Sequence, residues 1–284
     1  MVSRLSLKDV SYSYPFQDAM ALSGINLETR PGEVFCIAGS NGSGKSTLAQ
    51  ICAGLLTPTS GSVLYDGKPA RSGSRLLNLH RNVGLLFQSP EDQLFADTVR
   101  KDIEFGPRNQ GLRGDDLAAR VIDAARLVGL PLQDTGGRSP FSLSEGEKRR
   151  VALAGVLAMN PEILVLDEPF IGLDHDGREH LISALSSYVE NKLATIVLVT
   201  HDLSGAWPLA SRFALLSESR LVGIESKADL VLGNTDMLAL GVRLPQWGVL
   251  AKELLHAGIP VEDPSDPSCL AKALVRRREV RDDR

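Results

Sequence analysis

The sequence has 284 residues, of which 43% are hydrophobic, and its formal net charge is -4. This content of apolar residues can form a sizeable core as one large domain or as one domain with an appendage, which excludes an overall disordered chain. Acids and bases are mixed along the chain, so the charge gives no indication of binding to a nucleic-acid backbone.

Cysteine content and hydropathy bear on where the protein works. Cys36, Cys52 and Cys269 lie far apart, so neither a disulfide framework nor a zinc site is predicted. No apolar run approaches the roughly 20 residues that cross a bilayer, and residues 1–14 lack the apolar core of a signal peptide. We therefore expect a protein of the reducing cytoplasm, which, if it works at a membrane, docks on partners there.

Short apolar runs alternate with helical patterns along most of the chain. The first thirty residues indicate antiparallel strands that precede the rest of the fold. Buried strands are predicted at residues 34–38, 83–87, 163–166, 195–199 and 213–216. Because helices separate these runs, we predict an α/β fold with a largely parallel sheet.

Helical spacing and turn residues indicate how the chain is divided. One amphipathic helix, which should end near Gly129, is indicated by Ala118, Val121, Ile122, Ala125 and Val128. That helix belongs to an inserted helical layer at about residues 89–160 of a main domain at residues 1–224. After that, frequent glycine and proline indicate a C-terminal appendage at residues 225–284.

A glycine-rich loop provides the first chemical signal. It matches the pattern Gly-x4-Gly-Lys-Ser/Thr, follows the strand at 34–38 and begins a helix. Main-chain N–H groups and the helix N-terminus would hold a di- or triphosphate there. An ordinary glycine turn is the alternative, and the surrounding strand and helix favour the phosphate loop. The predicted nucleotide-binding residues are Gly39, Ser40, Asn41, Gly42, Ser43, Gly44, Lys45, Ser46 and Thr47.

The loop's polar side chains and a later pair of acids have separate predicted roles. Lys45 would neutralise the β- and γ-phosphates, and Ser46 would bind Mg²⁺. Asp167 and Glu168 follow the apolar run at 163–166, which would deliver both carboxylates to the ligand-binding edge of a parallel sheet. We expect Asp167 to hold Mg²⁺ and Glu168 to polarise the attacking water, although acids after strands also serve as helix caps.

Further motifs, in a fixed order, resemble those of ABC ATPases. Residues 143–147 resemble the signature Leu-Ser-Gly-Gly-Gln, and residues 170–174 resemble the D-loop. The resemblance implies the P-loop fold of ABC type, with an antiparallel β subdomain, a helical subdomain and a small C-terminal appendage. It implies that the site binds ATP with Mg²⁺. It also adds further site residues: Gln88 of the Q-loop, which is catalytic and metal-binding, the catalytic switch residue His201, and Asp174 of the D-loop. Tyr14, or alternatively Tyr12, would stack on the adenine.

The signature residues Ser144, Glu145, Gly146 and Glu147 have two compatible interpretations. Ser144 and Glu147 have the spacing of a capping box, and a helix start with free N–H groups is also an anion site. In ABC ATPases that site completes the pocket of the opposite subunit, so the resemblance implies a dimer. Glu145 replaces the first signature glycine, and its carboxylate would repel a γ-phosphate, so we expect it to face solvent or another partner.

Longer strings resemble the ATPases of energy-coupling-factor and cobalt/nickel importers. They lie at residues 87–99, 102–107, 148–159 and 237–247. The last string implies that the appendage at residues 225–284 is of the dimerisation type, contributing to contacts between two ATPases. The resemblance implies a peripheral protein on the cytoplasmic face of the cell membrane, as a homodimer or paired with a related ATPase. Its partners would be a transmembrane coupling protein and a substrate-binding membrane protein, and no nucleic acid is expected.

Several alternatives remain open at the level of sequence. A vitamin, cobalt or nickel is each compatible as the transported substrate. The chain is also compatible with an ATPase subunit of a conventional ABC transporter. A soluble ABC-type ATPase acting on nucleic acid is disfavoured because the chain has no basic patch and no long coiled-coil heptads.

Overall fold

A computed structural model describes residues 3–70, 82–233 and 235–282 of the chain. The strands are β1 Leu5–Ser13, β2 Met20–Thr29, β3 Val34–Gly39, β4 Ser60–Tyr65, β5 Lys68–Pro69, β6 Val83–Leu86, β7 Ile163–Asp167, β8 Thr195–Thr200, β9 Arg212–Ser217 and β10 Arg220–Ser226. The helices are α1 Lys45–Cys52, α2 Val99–Asn109, α3 Gly114–Leu127, α4 Leu132–Thr135, α5 Glu145–Ala158, α6 His175–Lys192, α7 Leu203–Ala206, α8 Lys227–Leu232, α9 Gln246–His256 and α10 Pro267–Asp282.

The strands form two sheets. The larger has the order β10-β9-β3-β8-β7-β6, in which only β10 is antiparallel to its neighbour. The smaller is antiparallel, with the order β2-β1-β4-β5. The α/β fold class, the largely parallel sheet and the antiparallel start of the chain are therefore confirmed.

The parallel sheet is covered on both faces, which explains its uninterrupted apolar strands. In β8, Ile196 and Leu198 belong to one hydrophobic core, which includes α2, α3 and α5. Val197 and Val199, on the opposite face, belong to a second core, which includes α1 and the antiparallel sheet. Each strand residue therefore needs an apolar side chain, and the pattern along the sequence is continuous instead of alternating.

The helical layer packs through α5, which contacts both α2 and α3. In α3, Leu117, Val121 and Ala124 are buried, whereas Ile122 is 44% exposed. The prediction that Ile122 belongs to the apolar face was wrong. The buried stripe is centred on Leu117 and Val121, and at 100° per residue Ile122 falls beyond its edge.

The C-terminal segment packs directly on the main domain. Leu230, Val242 and Ala251 are part of the core that also contains residues of β8 and α5. The ring of Trp207 meets that of Trp247 edge to face, with centroids 5.0 Å apart. No helix among the described residues is long and apolar enough to span a membrane.

Truncating a buried side chain tests how much the central sheet contributes to the free energy of unfolding. Leu164→Ala removes a fully buried side chain of β7 and should lower the free energy of unfolding by about 2–5 kcal/mol. Leu238→Ala, at a side chain that is 83% exposed, should change it by less than about 0.5 kcal/mol. Urea denaturation monitored by circular dichroism measures both, and equal effects would contradict this assignment of the core.

Candidate active site

The glycine-rich loop connects the end of β3 to the start of α1, as its sequence context predicts. Gly44 precedes α1 and has φ +101, in the region that only glycine adopts readily. A Cβ at this position would lie 2.5 Å from the carbonyl oxygen of Ala21, so a side chain cannot be accommodated. The loop therefore packs directly against β2, and the N-terminus of α1 lines the adjacent cleft.

Lys45 is held by the loop itself. Its Nζ donates hydrogen bonds to the carbonyl oxygens of Gly39, at 2.9 Å, and Ser40, at 2.8 Å. Burial lowers the pKa of Lys45, while the nearby carboxylates of Glu168 and Asp167 act in the opposite direction. A weakly solvated ammonium group beside a helix N-terminus is suited to binding a polyanion.

Two acids end β7 at the same edge of the sheet. Asp167 and Glu168 are each 5% exposed. Burial raises the pKa of Asp167 despite a hydrogen bond from the Ser46 side chain, and Asp167 Oδ1 has no hydrogen-bond partner. A buried, unpartnered carboxylate oxygen beside a serine hydroxyl is a suitable ligand set for a hard cation.

Glu168 is held by the end of the neighbouring strand, β8. Its Oε2 accepts a hydrogen bond from the Thr200 hydroxyl at 2.8 Å. Its Oε1 accepts from the backbone N–H of His201 at 3.0 Å and lies 2.6 Å from His201 Nδ1. Because β7 and β8 are parallel neighbours, their ends bring these side chains together although they are more than thirty positions apart.

A cleft of about 540 Å³ unites many of the predicted residues. The Tyr14 hydroxyl at its wall is 3.0 Å from Thr47 Oγ1, whereas Tyr12 is buried in the core against the Tyr14 ring. The structure thus places Tyr14, and not Tyr12, at the cleft. The other predicted site residues that line the cleft are Asn41, Gly42, Gly44, Lys45, Ser46, Thr47, Gln88, Asp167 and Glu168.

A second, smaller cleft lies on the other side of Glu168. It has a volume of about 180 Å³ and is lined by Glu168, His201 and the loop of residues 170–173. Glu168 therefore borders both clefts, while His201 borders only the second of these two. In the described part of the chain, no three His, Cys, Asp or Glu residues cluster as a metal site, so any cation here would need other oxygen ligands.

The signature residues do not line the phosphate-loop cleft. Ser144 caps α5, and with Glu147 it forms the reciprocal capping box expected from their spacing. The Glu145 side chain is 69% exposed, and its Oε1 lies 3.2 Å from Lys148 Nζ. Asp174 caps α6 by accepting a hydrogen bond from the backbone N–H of Gly177.

Two basic residues of α5 connect parts of the site that the sequence analysis did not link. Arg149 donates to the Gln88 carbonyl oxygen at 3.0 Å and to the Glu168 carbonyl oxygen, and it is only 8% exposed. Lys148 forms an ion pair with Glu91 besides its contact with Glu145. The sequence contained only the basic run 148–150, and nothing in it distinguishes a buried cation from a solvated one.

Comparison with known proteins identifies the family. The family profile described as ABC transporter matches residues 22–171. The EcfA2 energy-coupling factor transporter ATP-binding protein of Clostridium acetobutylicum is 39% identical, and the alignment covers 90% of this chain and 91% of that relative. EcfA of Methanothermobacter thermautotrophicus is 38% identical over 91% of this chain and 82% of its own.

The chain belongs to the ABC transporter family, among the energy-coupling factor ATP-binding proteins. The structure of cbiO1 from Clostridium perfringens, described as part of the ABC transporter complex cbiONQ, has a TM-score of 0.73. That comparison has 34% identity and covers 88% of this chain and 99% of cbiO1. The dimeric cassette MJ0796 in a post-hydrolysis state with ADP and phosphate has a TM-score of 0.72. It is 29% identical and covers 78% of this chain and 98% of that cassette. The protein is an ATP-binding ABC ATPase.

The buried Asp167 carboxylate, with one unpartnered oxygen, should lower the stability of the protein. Asp167→Asn should raise the melting temperature of the nucleotide-free protein at pH 7 in EDTA, because burial penalises the ionised carboxylate and raises its pKa. This penalty exists above the pKa of the folded state and vanishes as the pH falls below the ordinary value of 3.8, so the gain should shrink toward acidic pH. Differential scanning fluorimetry from pH 7 downward measures it, with the exposed Asp134→Asn as control. A gain that does not depend on pH would contradict this explanation.

Proposed function

We propose that this ATPase energises an importer of energy-coupling-factor type from the cytoplasmic face of the cell membrane, closing and opening as a dimer with ATP between its subunits. The observation that carries the catalytic part is Glu168, a buried carboxylate that borders the phosphate-loop cleft and contacts the ring of His201. The names of relatives that align over most of the chain support the transporter type.

Nucleotide binding is assigned to the loop before α1. Its N–H groups and the helix N-terminus would hold the phosphates, and Lys45 would exchange its two carbonyl partners for the β- and γ-phosphates. Tyr14 would stack on the adenine, and Thr47, beside its hydroxyl, would contact the α-phosphate. The full proposed set is Tyr14, Gly39, Ser40, Asn41, Gly42, Ser43, Gly44, Lys45, Ser46 and Thr47.

Mg²⁺ is the proposed cation of the site. Ser46, Asp167 and Gln88 would hold it, since all three line the same cleft and the free Asp167 Oδ1 offers a ligand. Few protein ligands suffice, because Mg²⁺ retains waters and binds the phosphates of its nucleotide. When bound, the ion would neutralise charge on the β- and γ-phosphate oxygens.

Hydrolysis is assigned to the group of side chains around Glu168. Glu168 would orient and polarise the water that attacks the γ-phosphate, and His201 would contact the γ-phosphate. The bonds from Thr200 and His201 hold the Glu168 carboxylate in one orientation before nucleotide arrives. Gln88 would help place the water, and Lys45 would stabilise the charge on the transferred group.

A second subunit would complete each site. The signature residues 144–147 start α5 outside the cleft, which suits contact with nucleotide on a partner subunit. Asp174, at the start of α6, would lie near that contact as part of the D-loop. We assign the C-terminal unit, residues 225–284, to contacts between the ATPases, which are identical copies or close relatives.

The membrane partners are proposed by analogy with the family. A transmembrane coupling protein would receive the motion of the ATPase pair, and a separate membrane protein would select the cargo. Residues 89–160 are the proposed helical subdomain on which the coupling protein docks. The cargo class is a vitamin or a transition-metal ion such as cobalt or nickel.

Replacing the proposed base tests the catalytic assignment. Glu168→Gln should lower the rate of ATP hydrolysis by about 100-fold or more, because an amide cannot accept the proton from water. Binding of a fluorescent ATP analogue should persist. Glu162→Gln, at a side chain that is 51% exposed and precedes the same strand, is the matched control and should hydrolyse ATP at the wild-type rate. Wild-type turnover in Glu168→Gln would remove Glu168 from this role.

Purification from native membranes tests the transporter assignment. The tagged protein, isolated from gently solubilised membranes of its own host, should bring along a helical coupling protein and a separate substrate-binding membrane protein identified by mass spectrometry. The identity of the latter would indicate the cargo. Recovery with a pair of conventional permeases, or only from the soluble fraction without membrane proteins, would overturn the proposal while leaving the ATPase activity intact.

A further inference from the structure

A short C-terminal segment, residues 240–243, lies against the active site, and we call it the strap. It follows α8 and precedes α9, so in sequence it belongs to the C-terminal unit. Residues 225–284, which include the strap, are assigned in the proposed function only to contacts between the ATPases. The strap also contacts two loops of the site, the one that carries His201 and the phosphate loop.

The first contact is with the loop that carries the switch histidine. The backbone N–H of Arg243 donates to the carbonyl oxygen of His201 at 2.9 Å, and the N–H of Leu203 donates to the carbonyl oxygen of Arg243 at 2.9 Å. These two bonds form a parallel bridge between Asp202 and Arg243. The strap thereby holds the backbone around His201.

The second contact is with the phosphate loop. Gly241 has φ +65, and a Cβ built on it would lie 2.6 Å from the Cβ and 3.0 Å from the Cα of Ser40. Glycine is therefore required for two reasons, the left-handed backbone and the direct approach to Ser40. Ser40 is also one of the two residues whose carbonyl oxygens hold Lys45.

The strap itself is firmly anchored. The N–H of Gly241 donates to Leu238 and that of Val242 to Met237, each at 2.9 Å. Val242 is 1% exposed, and it belongs to the same hydrophobic core as α5 and β8. A buried side chain between two backbone contacts makes the strap a rigid connection between the C-terminal unit and the site.

We infer that the strap positions His201 for hydrolysis, so that Gly241, Val242 and Arg243 are positioning residues of the ATPase reaction. The strap acts on the backbone of His201, whose ring and N–H hold the Glu168 carboxylate. Displacing it would shift the ring of His201 relative to Glu168 without removing any group that contacts ATP through its side chain. The C-terminal unit would thereby affect the rate of hydrolysis even within one subunit.

One pair of variants compares the same backbone strain at two sites. Gly241→Ala introduces a Cβ against Ser40, whereas Gly258→Ala introduces one at φ +73 with nothing within 4 Å. Expressed per nucleotide-binding site, kcat should fall roughly tenfold in Gly241→Ala, because small misplacements of catalytic groups slow a reaction strongly. The KM for ATP should rise as well in Gly241→Ala, because the new Cβ lies against Ser40 of the phosphate loop. Gly258→Ala should match wild type in both.

A second pair covers the case in which Gly241→Ala does not fold. Val242→Ala loosens the strap, and Val231→Ala removes a side chain that is also 1% exposed and in the same unit but outside the strap. The two should lose similar melting temperature, while only Val242→Ala lowers kcat. Hydrogen exchange should show faster exchange at the Arg243 amide in Val242→Ala alone.

A double-mutant cycle separates positioning from general destabilisation. If the strap acts through His201, then Val242→Ala, which puts no new atom against the phosphate loop, should have no further effect on kcat once His201 is replaced by alanine. Equal kcat losses within either matched pair, or effects that multiply fully with His201→Ala, would overturn the inference. So would wild-type kcat per site in both strap variants.

Discussion

Three parallel strands end at one edge of the central sheet, and their ends determine where the polar groups of the site lie. β3 leads into the loop of Lys45, β7 ends at Asp167 and is followed by Glu168, and β8 leads to His201. Parallel strands run in register, so groups far apart in sequence are buried together at this edge. Burying so many ionisable groups is costly unless each is compensated. Lys45 is compensated by loop carbonyls and Glu168 by the end of β8, whereas Asp167 keeps an unpartnered oxygen.

The helical layer is tied to this edge by buried cations as well as by apolar packing. Arg149 reaches from α5 to the carbonyl oxygens of Glu168 and Gln88, and burial lowers its pKa. A movement of α5 therefore cannot leave Gln88 and the end of β7 undisturbed. Lys148, one residue earlier, pairs with Glu91 just after Gln88 and with Glu145 at the start of α5. The acid that replaces the first signature glycine, Glu145, is in this way part of a charge cluster that does not line the phosphate-loop cleft.

The C-terminal unit shares its core with the main domain. Val242 and Ala251 belong to the same hydrophobic cluster as the strands of the parallel sheet, and the Trp207 and Trp247 rings are in contact. The strap adds backbone bonds beside His201. The polar site at the sheet edge is thus in physical contact with the residues after 225, although the glycine and proline content of the sequence divides the chain between them.

The sequence by itself determined the fold class and the family, because these depend on local or strongly repeated signals. A strand buried on both faces must be apolar at every position, as in β7, and a phosphate loop is a contiguous pattern next to a strand and a helix. The tertiary structure alone decided that Tyr14 and not Tyr12 lines the cleft, that Ile122 is exposed, and that Arg149 is buried. It also brought the strap to His201 and Ser40. Such contacts join segments that are far apart in sequence, 61 positions for Arg149 and Gln88 and still more for Gly241 and Ser40. Their specificity lies in packing geometry that residue types along the chain do not encode locally.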